Sequence, residues 1–230
     1  PRVLADPPEA FAEPRVHEGK APVAPVVAPV VKPAPVAKSR PATGTVAIDR
    51  DRLAEAGMIV PGGAVSVLAE EFRLVKRQLL LSKAKLTGDP AAARTILVAS
   101  ARPDEGKTFC AINLAISLAA ERDTQVLLID GDFAKRDLLP RLGLDNGLGF
   151  LDLLADPALD PEALVLRTDV PQLSLLGAGT RTNDDTELLA SGRTRVVLDR
   201  LLDADPNRIV IFDSPPVLAA STELECSTVT

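Results

Sequence analysis

Short apolar runs alternate with helical stretches along most of this chain, and this alternation constrains the fold more than any other feature. The apolar runs are rich in Val, Ile and Leu, and each is separated from the next by a long connection. They are TILVAS (95–100), QVLLID (125–130), QLSLLGAG (172–179) and RIVIFD (208–213). Parallel strands need long crossover connections and are buried on both faces of their sheet. The sequence therefore predicts an α/β fold with a doubly wound, mostly parallel sheet.

Helical periodicity occupies much of the chain before and between these runs. From Ser66 to about Lys85, apolar residues recur at helical spacing opposite a charged face, which predicts an amphipathic helix. The other predicted helices cover residues 49–56, 107–121, 147–155 and 186–204. Within the helix at 107–121, Cys110 falls where we expect a buried thiol. These helices are expected to cover the two faces of the sheet.

The first part of the chain differs in composition from the rest. Ten of the twenty prolines fall within the first 41 residues, among alanine, valine and lysine. This composition predicts a disordered, extended linker over residues 1–44. A short helical lead-in over residues 45–65 follows, and then one compact domain over residues 66–230.

Charge and hydropathy narrow the set of partners. The net charge of −6 is a poor match for nucleic acid or an anionic membrane, because both attract basic surfaces. No stretch approaches the roughly 20 apolar residues that span a bilayer, so no transmembrane segment is expected. Cys110 and Cys226 have neither metal-ligand nor redox spacing, which indicates a reducing setting such as the cytoplasm. Other proteins are therefore the expected partners.

A cluster of polar or glycine residues follows each of the four predicted strands. The clusters are residues 100–108, Asp130 with Asp132, residues 177–180, and residues 213–216. In doubly wound sheets, ligands bind at the carboxyl ends of the strands. The sequence therefore predicts that the four clusters converge on one ligand site.

The first cluster matches the phosphate-binding loop pattern GxxxxGK[ST], except that Ala101 stands where the first glycine is expected. Such a loop directs backbone N–H groups and a helix N-terminus at phosphate oxygens. Lys107 is expected to reach the β and γ phosphates of ATP, and the Thr108 hydroxyl to bind Mg²⁺. The residues predicted to bind the nucleotide are Ala101, Arg102, Pro103, Asp104, Glu105, Gly106, Lys107, Thr108 and Phe109.

Three aspartates complete the predicted site. Asp130 and Asp132 close a buried apolar strand, where carboxylates are costly unless they hold a cation or a proton in transit. Their expected roles are to organise Mg²⁺ and to activate the attacking hydroxyl or water. Asp213 follows the apolar run IVIF and has the form of a metal-binding Walker B aspartate. The predicted catalytic residues are thus Lys107, Asp130 and Asp132, and the predicted metal ligands are Thr108, Asp130 and Asp213.

Together these segments resemble a known family. ASARPDEGKT, VLLIDGD and IVIFDSPP resemble the Walker A, A′ and B motifs of bacterial tyrosine kinases (BY-kinases). AEEFRLVKRQLL and TELLASGRTRVVLDRLL resemble two helices of that family. With AGMIVPGG and GLGFLDLLADPALD, the similarity is greatest to the branch of tyrosine autokinases encoded with exosortase/PEP-CTERM exopolysaccharide loci.

The resemblance implies transfer of the ATP γ-phosphate to tyrosine hydroxyls, with Mg²⁺ as cofactor, in the regulation of exopolysaccharide biosynthesis or export. It also implies a homo-oligomer whose subunit contact uses Glu70, Arg73 and Lys76, the positions of the ExxRxxR motif. A polysaccharide chain-length (co-polymerase) protein is the implied activator, and would hold the chain at the cytoplasmic face of the bacterial inner membrane. Protein tyrosines are the implied substrates.

The sequence departs from the family pattern in several places. Lys76 replaces an arginine, and lysine cannot form the same bidentate contact. The arginine usual after the second Walker A′ aspartate is replaced by Ala134, with Lys135 and Arg136 following. The chain contains no tyrosine, although the family phosphorylates a tyrosine-rich C-terminal tail. The family pattern also places two more strands after the Walker B motif, so the domain is expected to be incomplete at its C-terminus.

Two alternative functions remain open at this stage. A ParA/MinD-like ATPase shares the predicted fold, but that family typically has KGGxGKT, whereas Arg102 and Pro103 occupy the corresponding positions here. A nucleotide-gated regulatory subunit with little catalysis is the second alternative, and it is consistent with the lack of tyrosine.

Overall fold

The structure is a computed structural model that describes residues 44–86, 89, 91–182 and 185–215. Apart from Gly44, the predicted linker lies outside the described residues, and so does the segment 216–230.

The described residues form one five-stranded sheet. Its strands are β1 (Thr95–Val98), β2 (Gln125–Asp130), β3 (Leu166–Arg167), β4 (Leu173–Leu176) and β5 (Arg208–Asp213). The strand order is β1-β5-β2-β4-β3, and all neighbours are parallel except β3, which runs antiparallel to β4. The predicted mostly parallel sheet is therefore confirmed. β3 was not predicted, because two residues at a sheet edge carry too short a pattern to detect.

Eight α-helices are found in the described part of the chain. They are α1 (Arg50–Glu55), α2 (Val67–Lys83), α3 (Lys107–Ala119), α4 (Leu138–Arg141), α5 (Phe150–Ala155), α6 (Pro161–Leu164), α7 (Asp185–Ala190) and α8 (Gly192–Asp203), with a 3₁₀ turn at Ala92–Arg94. The single helix predicted over 186–204 is wrong in one respect, because it is interrupted between α7 and α8. Ser191 has an extended conformation (ψ 155°), and its hydroxyl donates to the Leu188 carbonyl. A serine that bonds to the local backbone in this way competes with helix continuation.

Alternate residues of the central strands enter two hydrophobic cores, one on each face of the sheet. In β2, Val126 and Leu128 belong to the core that also contains the apolar face of α3. Leu127 and Ile129 belong to the other core, which contains α5 and α8. Because successive strand residues point to opposite faces, both faces of a central strand must be apolar. This arrangement explains why QVLLID is a continuous apolar run rather than an alternating one.

Helix α3 has one side facing the sheet and another facing solvent. Its buried residues include Ala111, Ile112 and Ala115, which share one side at helical spacing. Cys110 lies off this side and is exposed, so the predicted burial of its thiol is wrong.

Helix α2 packs outside α3, and its predicted amphipathic pattern is confirmed only in part. Phe72, Leu79 and Leu80 pack against the α3 core, whereas Val67 and Leu74 are exposed. Among the residues that the structure describes, no helix combines the length and the apolar character needed to cross a membrane.

Candidate nucleotide and magnesium site

The segment between β1 and α3 forms a loop that ends at the N-terminus of a helix. Gly106 occupies the N-cap position of α3 with φ 86°, a left-handed conformation that favours glycine. It has no side chain to cap the first turn, so the N-terminal amides of α3 lack the usual side-chain acceptor. A helix N-terminus with free amides attracts phosphate through both hydrogen bonds and the helix dipole. The loop geometry thus fits its predicted role.

Two side chains of the loop form hydrogen bonds with the loop backbone. Glu105 Oε2 accepts from the Arg102 backbone N–H at 3.0 Å, and Ser100 Oγ donates to the Arg102 carbonyl at 2.9 Å. Asp104 adopts φ 61°, a left-handed conformation that aspartate tolerates better than most residues. The loop therefore has a defined shape without a glycine at position 101.

Lys107 forms a buried ion pair across the site. Its Nζ lies 2.5 Å from Asp132 Oδ2, and the side chains are only 7% and 4% exposed. A buried charge is costly without a partner, so each member of this pair stabilises the other.

Asp130 and Asp213 end the neighbouring strands β2 and β5 and are fully buried. Gly131 makes their close approach possible: its N–H donates to the Asp213 carbonyl at 2.8 Å, and a Cβ there would lie 2.9 Å from the same oxygen. Burial, together with the nearby Asp213 carboxylate, raises the pKa of Asp130 to about 7. Burial also raises the pKa of Asp213 to about 6, against the lowering effect of the Thr108 hydroxyl and the Lys107 ammonium group.

These two aspartates have buried carboxylate oxygens that are available to a cation. Among the described residues, Asp130 Oδ2 and both carboxylate oxygens of Asp213 have no hydrogen bond of ordinary geometry. Buried oxygens of this kind are costly unless a ligand satisfies them. The described residues contain no group of three or more His, Cys, Asp and Glu side chains arranged to bind a metal. Mg²⁺ commonly uses only one or two carboxylates, completing its shell with water and phosphate oxygens, so Thr108, Asp130 and Asp213 suit it.

All four predicted clusters lie at the same edge of the sheet, since β4 is parallel to β2 with Leu176 in register with Ile129. The cluster after β4 also has a local structural role. There the carbonyl of Gly177 accepts from the N–H of Phe150, at the start of α5. Asp152 Oδ2 accepts from the N–H groups of Gly149 and Thr180, at 2.8 and 3.0 Å. The polar groups after β4 therefore hold α5 against the sheet.

The three predicted subunit-contact residues differ in their surroundings. Glu70 and Arg73 form an exposed ion pair one turn apart on α2, with the Arg73 Nη2 atom 2.7 Å from Glu70 Oε2. Lys76 is buried instead, and its Nζ lies 2.7 Å from Oε1 of Glu121, which follows α3. Glu70 and Arg73 are thus accessible to solvent, whereas Lys76 connects α2 to the segment after α3.

The sequence interpretation missed Asn113, which joins α3 to the segment before α2. Asn113 is fully buried; its Oδ1 accepts from the Ile59 N–H and its Nδ2 donates to the Phe109 carbonyl, both at 2.7 Å. The signal that could have revealed it is an asparagine on the otherwise apolar inner side of α3. Its contact with the carbonyl of Phe109 links the AGMIVPGG segment to the first turn of the phosphate-binding helix.

The raised pKa of Asp130 predicts a pH-dependent stability of the nucleotide-free protein. The folded state holds this proton up to about pH 7, whereas an unfolded aspartate releases it near pH 4. The free energy of unfolding should therefore fall as the pH rises from 5 to 8, by on the order of 2 kcal/mol from this group. Urea unfolding across this range should show the decrease in the wild type and a smaller one in Asp130→Asn. An equal pH dependence in both proteins would contradict the burial argument.

Comparison with curated proteins identifies several tyrosine kinases. The chain is 32% identical over 126 residues to tyrosine-protein kinase ptk of Acinetobacter johnsonii, which is 55% of this chain and 17% of that relative. It is 28% identical over 156 residues to tyrosine-protein kinase YwqD of Bacillus subtilis, covering 68% of this chain and 62% of the relative. The matched part spans about a sixth (17%) of the length of the first of these relatives. No family model matches the chain.

Solved structures show the same similarity. The BceF tyrosine kinase domain superimposes with a TM-score of 0.57 at 29% identity, over 79% of this chain and 74% of that one. The kinase domain of the Escherichia coli tyrosine kinase ETK gives a TM-score of 0.56 at 25% identity, over 66% of this chain and 56% of that one. The described fold is thus similar to that of tyrosine kinase domains.

Proposed function

We propose that this chain, which is similar to bacterial tyrosine kinases, binds Mg²⁺-ATP and transfers the γ-phosphate to tyrosine hydroxyls of proteins. The observation that carries this proposal is the convergence of Lys107, Asp130, Asp132 and Asp213 at one sheet edge, beside a helix N-terminus with free amides. In a phosphoryl transfer, the protein contributes mainly positioning and electrostatic stabilisation. Each of these groups can supply positioning or electrostatic stabilisation.

The proposed reaction begins with an exchange of partners. The triphosphate enters at the amides of the loop and of the first turn of α3, and Lys107 moves from Asp132 to the phosphate oxygens. Asp132, released from its ion pair, is then able to orient the acceptor hydroxyl and accept its proton. This exchange couples nucleotide binding to the appearance of a free carboxylate.

Thr108, Asp130 and Asp213 hold the cation in this proposal. When bound, Mg²⁺ would neutralise the negative charge that develops during transfer. The three side chains fix its place at the ends of β2 and β5 and at the start of α3. The raised pKa values of Asp130 and Asp213 mean that protons compete with the cation in mildly acidic solution.

The direct test of this function follows the γ-phosphate. The protein is incubated with γ-labelled ATP, Mg²⁺ and a tyrosine peptide, with a phenylalanine version of the same peptide as the control. Phosphotyrosine on the first peptide alone is the expected result. Release of free phosphate without labelled peptide would favour a ParA/MinD-like ATPase, and binding of ATP with neither outcome would favour a regulatory subunit.

The biological setting is proposed from the relatives. One relative, 36% identical over 135 residues, is the succinoglycan biosynthesis transport protein ExoP of Rhizobium meliloti, which this chain covers over 16% of its length. We therefore propose a role in exopolysaccharide biosynthesis or export, with a membrane polysaccharide co-polymerase as the activating partner. The subunit contact through Glu70, Arg73 and Lys76 and the assignment to the exosortase-associated branch both stay predictions.

A further inference from the structure

Two ion pairs connect the phosphate-binding loop to the segment that follows β2, and they have opposite polarity. In the buried pair the loop supplies the cation, Lys107, and the following segment supplies the anion, Asp132. In the second pair the loop supplies the anion, Asp104, whose Oδ1 lies 2.7 Å from the Nζ of Lys135. The second pair is exposed, with 79% and 43% of the two side chains accessible.

The position of Lys135 is fixed by Asp132. The Lys135 N–H lies 3.1 Å from the Asp132 carbonyl oxygen and 3.3 Å from Asp132 Oδ1. Beyond it, Asp137 Oδ2 lies 3.5 Å from Lys135 Nζ and 3.0 Å from the Arg141 Nε atom on α4. Lys135 therefore belongs to a chain of alternating charges that runs from the loop to α4. An ion pair within such a network loses less side-chain entropy than an isolated surface pair.

Asp104 is the loop residue best placed to respond to this pair. It has a left-handed φ of 61° and lies two residues before Gly106, the N-cap of the phosphate-binding helix. A charge contact that holds Asp104 also holds the loop amides that follow it. The Lys135 ammonium group, through its hydrogen bond, keeps the pKa of Asp104 below its usual range, so the pair is fully charged at neutral pH.

We propose that the Asp104–Lys135 ion pair is a latch that keeps the phosphate-binding loop in its binding shape while Lys107 leaves Asp132 for the nucleotide. This inference rests on the proposed function, because the latch matters only if a triphosphate draws Lys107 away. During that exchange the buried Lys107–Asp132 ion pair is lost. The Asp104–Lys135 pair then still connects the loop to the segment after β2. Lys135 is thus a positioning residue that acts through Asp104.

The isosteric variant Asp104→Asn distinguishes the latch from direct electrostatic repulsion between the Asp104 carboxylate and ATP. Asparagine tolerates the left-handed conformation as aspartate does, so the backbone of the loop is preserved. If Asp104 acted on ATP only through its charge, removing that negative charge would tighten the binding of an anionic triphosphate. The latch predicts the reverse, a Kd for Mg²⁺-ATP that rises about three- to fivefold, the upper range for an exposed pair.

The experiment measures the Kd of a fluorescent ATP analogue with Mg²⁺ for the wild type and for a set of variants. Asp104→Asn, Lys135→Met and the double variant should all bind about equally weakly, because each lacks the same contact. Lys135→Arg should restore binding, and Lys85→Met, which removes an exposed lysine after α2, should bind like the wild type. In turnover assays the weakening should appear mainly in KM, with kcat nearly unchanged.

The outcomes distinguish this inference from the proposed function. If the wild type does not bind the analogue, the proposed function fails and the latch fails with it. If the wild type binds but Asp104→Asn binds equally well or more tightly, only the latch is overturned. A double variant that regains wild-type affinity would also overturn it, because independent opposite charges would then cancel.

Discussion

Replacing Lys107 with methionine should abolish measurable Mg²⁺-ATP binding and lower kcat/KM by at least about 100-fold. A loss of this size is typical when a protein group that stabilises charge in the transition state is removed. Lys107 is the buried cation at the start of the phosphate-binding helix. Methionine preserves most of the side-chain volume and removes only the charge and its hydrogen bonds. Titration with a fluorescent ATP analogue and a transfer assay on a tyrosine peptide measure the two effects.

Unfolding of the Lys107→Met variant would also abolish ATP binding, so a control for stability is needed. Without Lys107, the Asp132 carboxylate is left buried and unpaired, which is expected to cost several kcal/mol in the nucleotide-free protein. The double variant Lys107→Met/Asp132→Asn removes both charges and should recover much of this stability without recovering ATP binding. If the folded double variant bound ATP as the wild type does, the loop would have no part in nucleotide binding.

The aspartates should give a different phenotype, with phosphoryl transfer lost and nucleotide binding retained. Asp130→Asn removes a proposed cation ligand, and Asp132→Asn removes the group proposed to accept the tyrosine proton. Loss of a positioned proton acceptor typically lowers kcat by about 100- to 10,000-fold. ATP affinity should stay within a few-fold, because the loop amides and Lys107 remain. Single-turnover transfer and equilibrium binding, measured on the same samples, separate the two quantities.

The two variants should also differ from each other. Asp130→Asn removes a buried carboxylate with an orphan oxygen, so it should make the nucleotide-free protein more stable at pH 8. Asp132→Asn removes the partner of Lys107 and should make that protein less stable. Normal transfer by both variants would show that the aspartate pair has a structural role only.

The sequence was sufficient to predict the strands that form the centre of the fold. β2 and β5 match the predicted runs at both ends, because a strand buried on both faces is apolar throughout and is bounded by polar residues. The edge strand β3 and the one-turn helices α4 and α6 were missed, since elements this short lack a full period of any pattern. The break at Ser191 depends on a local side-chain hydrogen bond, which periodicity alone does not reveal.

For the site, residue types could be predicted but their pairings could not. The loop pattern and the three strand-end aspartates are local signals, and the parallel topology places them together. The Lys107–Asp132 and Asp104–Lys135 pairs join residues that are far apart in the sequence. They depend on the path of the segment that follows β2, which sequence patterns do not predict. The burial of Lys76 against Glu121 was not predicted either, because it follows from the packing of α2 on α3.

The central claim is that a triphosphate and a divalent cation meet at Lys107, Thr108 and the buried aspartates. A crystal structure with a non-hydrolysable ATP analogue and Mn²⁺, which has an anomalous signal, tests this claim most directly. The account predicts a Mn²⁺ peak within coordination distance of Thr108 and of a carboxylate from Asp130 or Asp213, with Lys107 bonded to phosphate oxygens. A nucleotide bound elsewhere, or bound in the loop while Lys107 stays paired with Asp132, would contradict it.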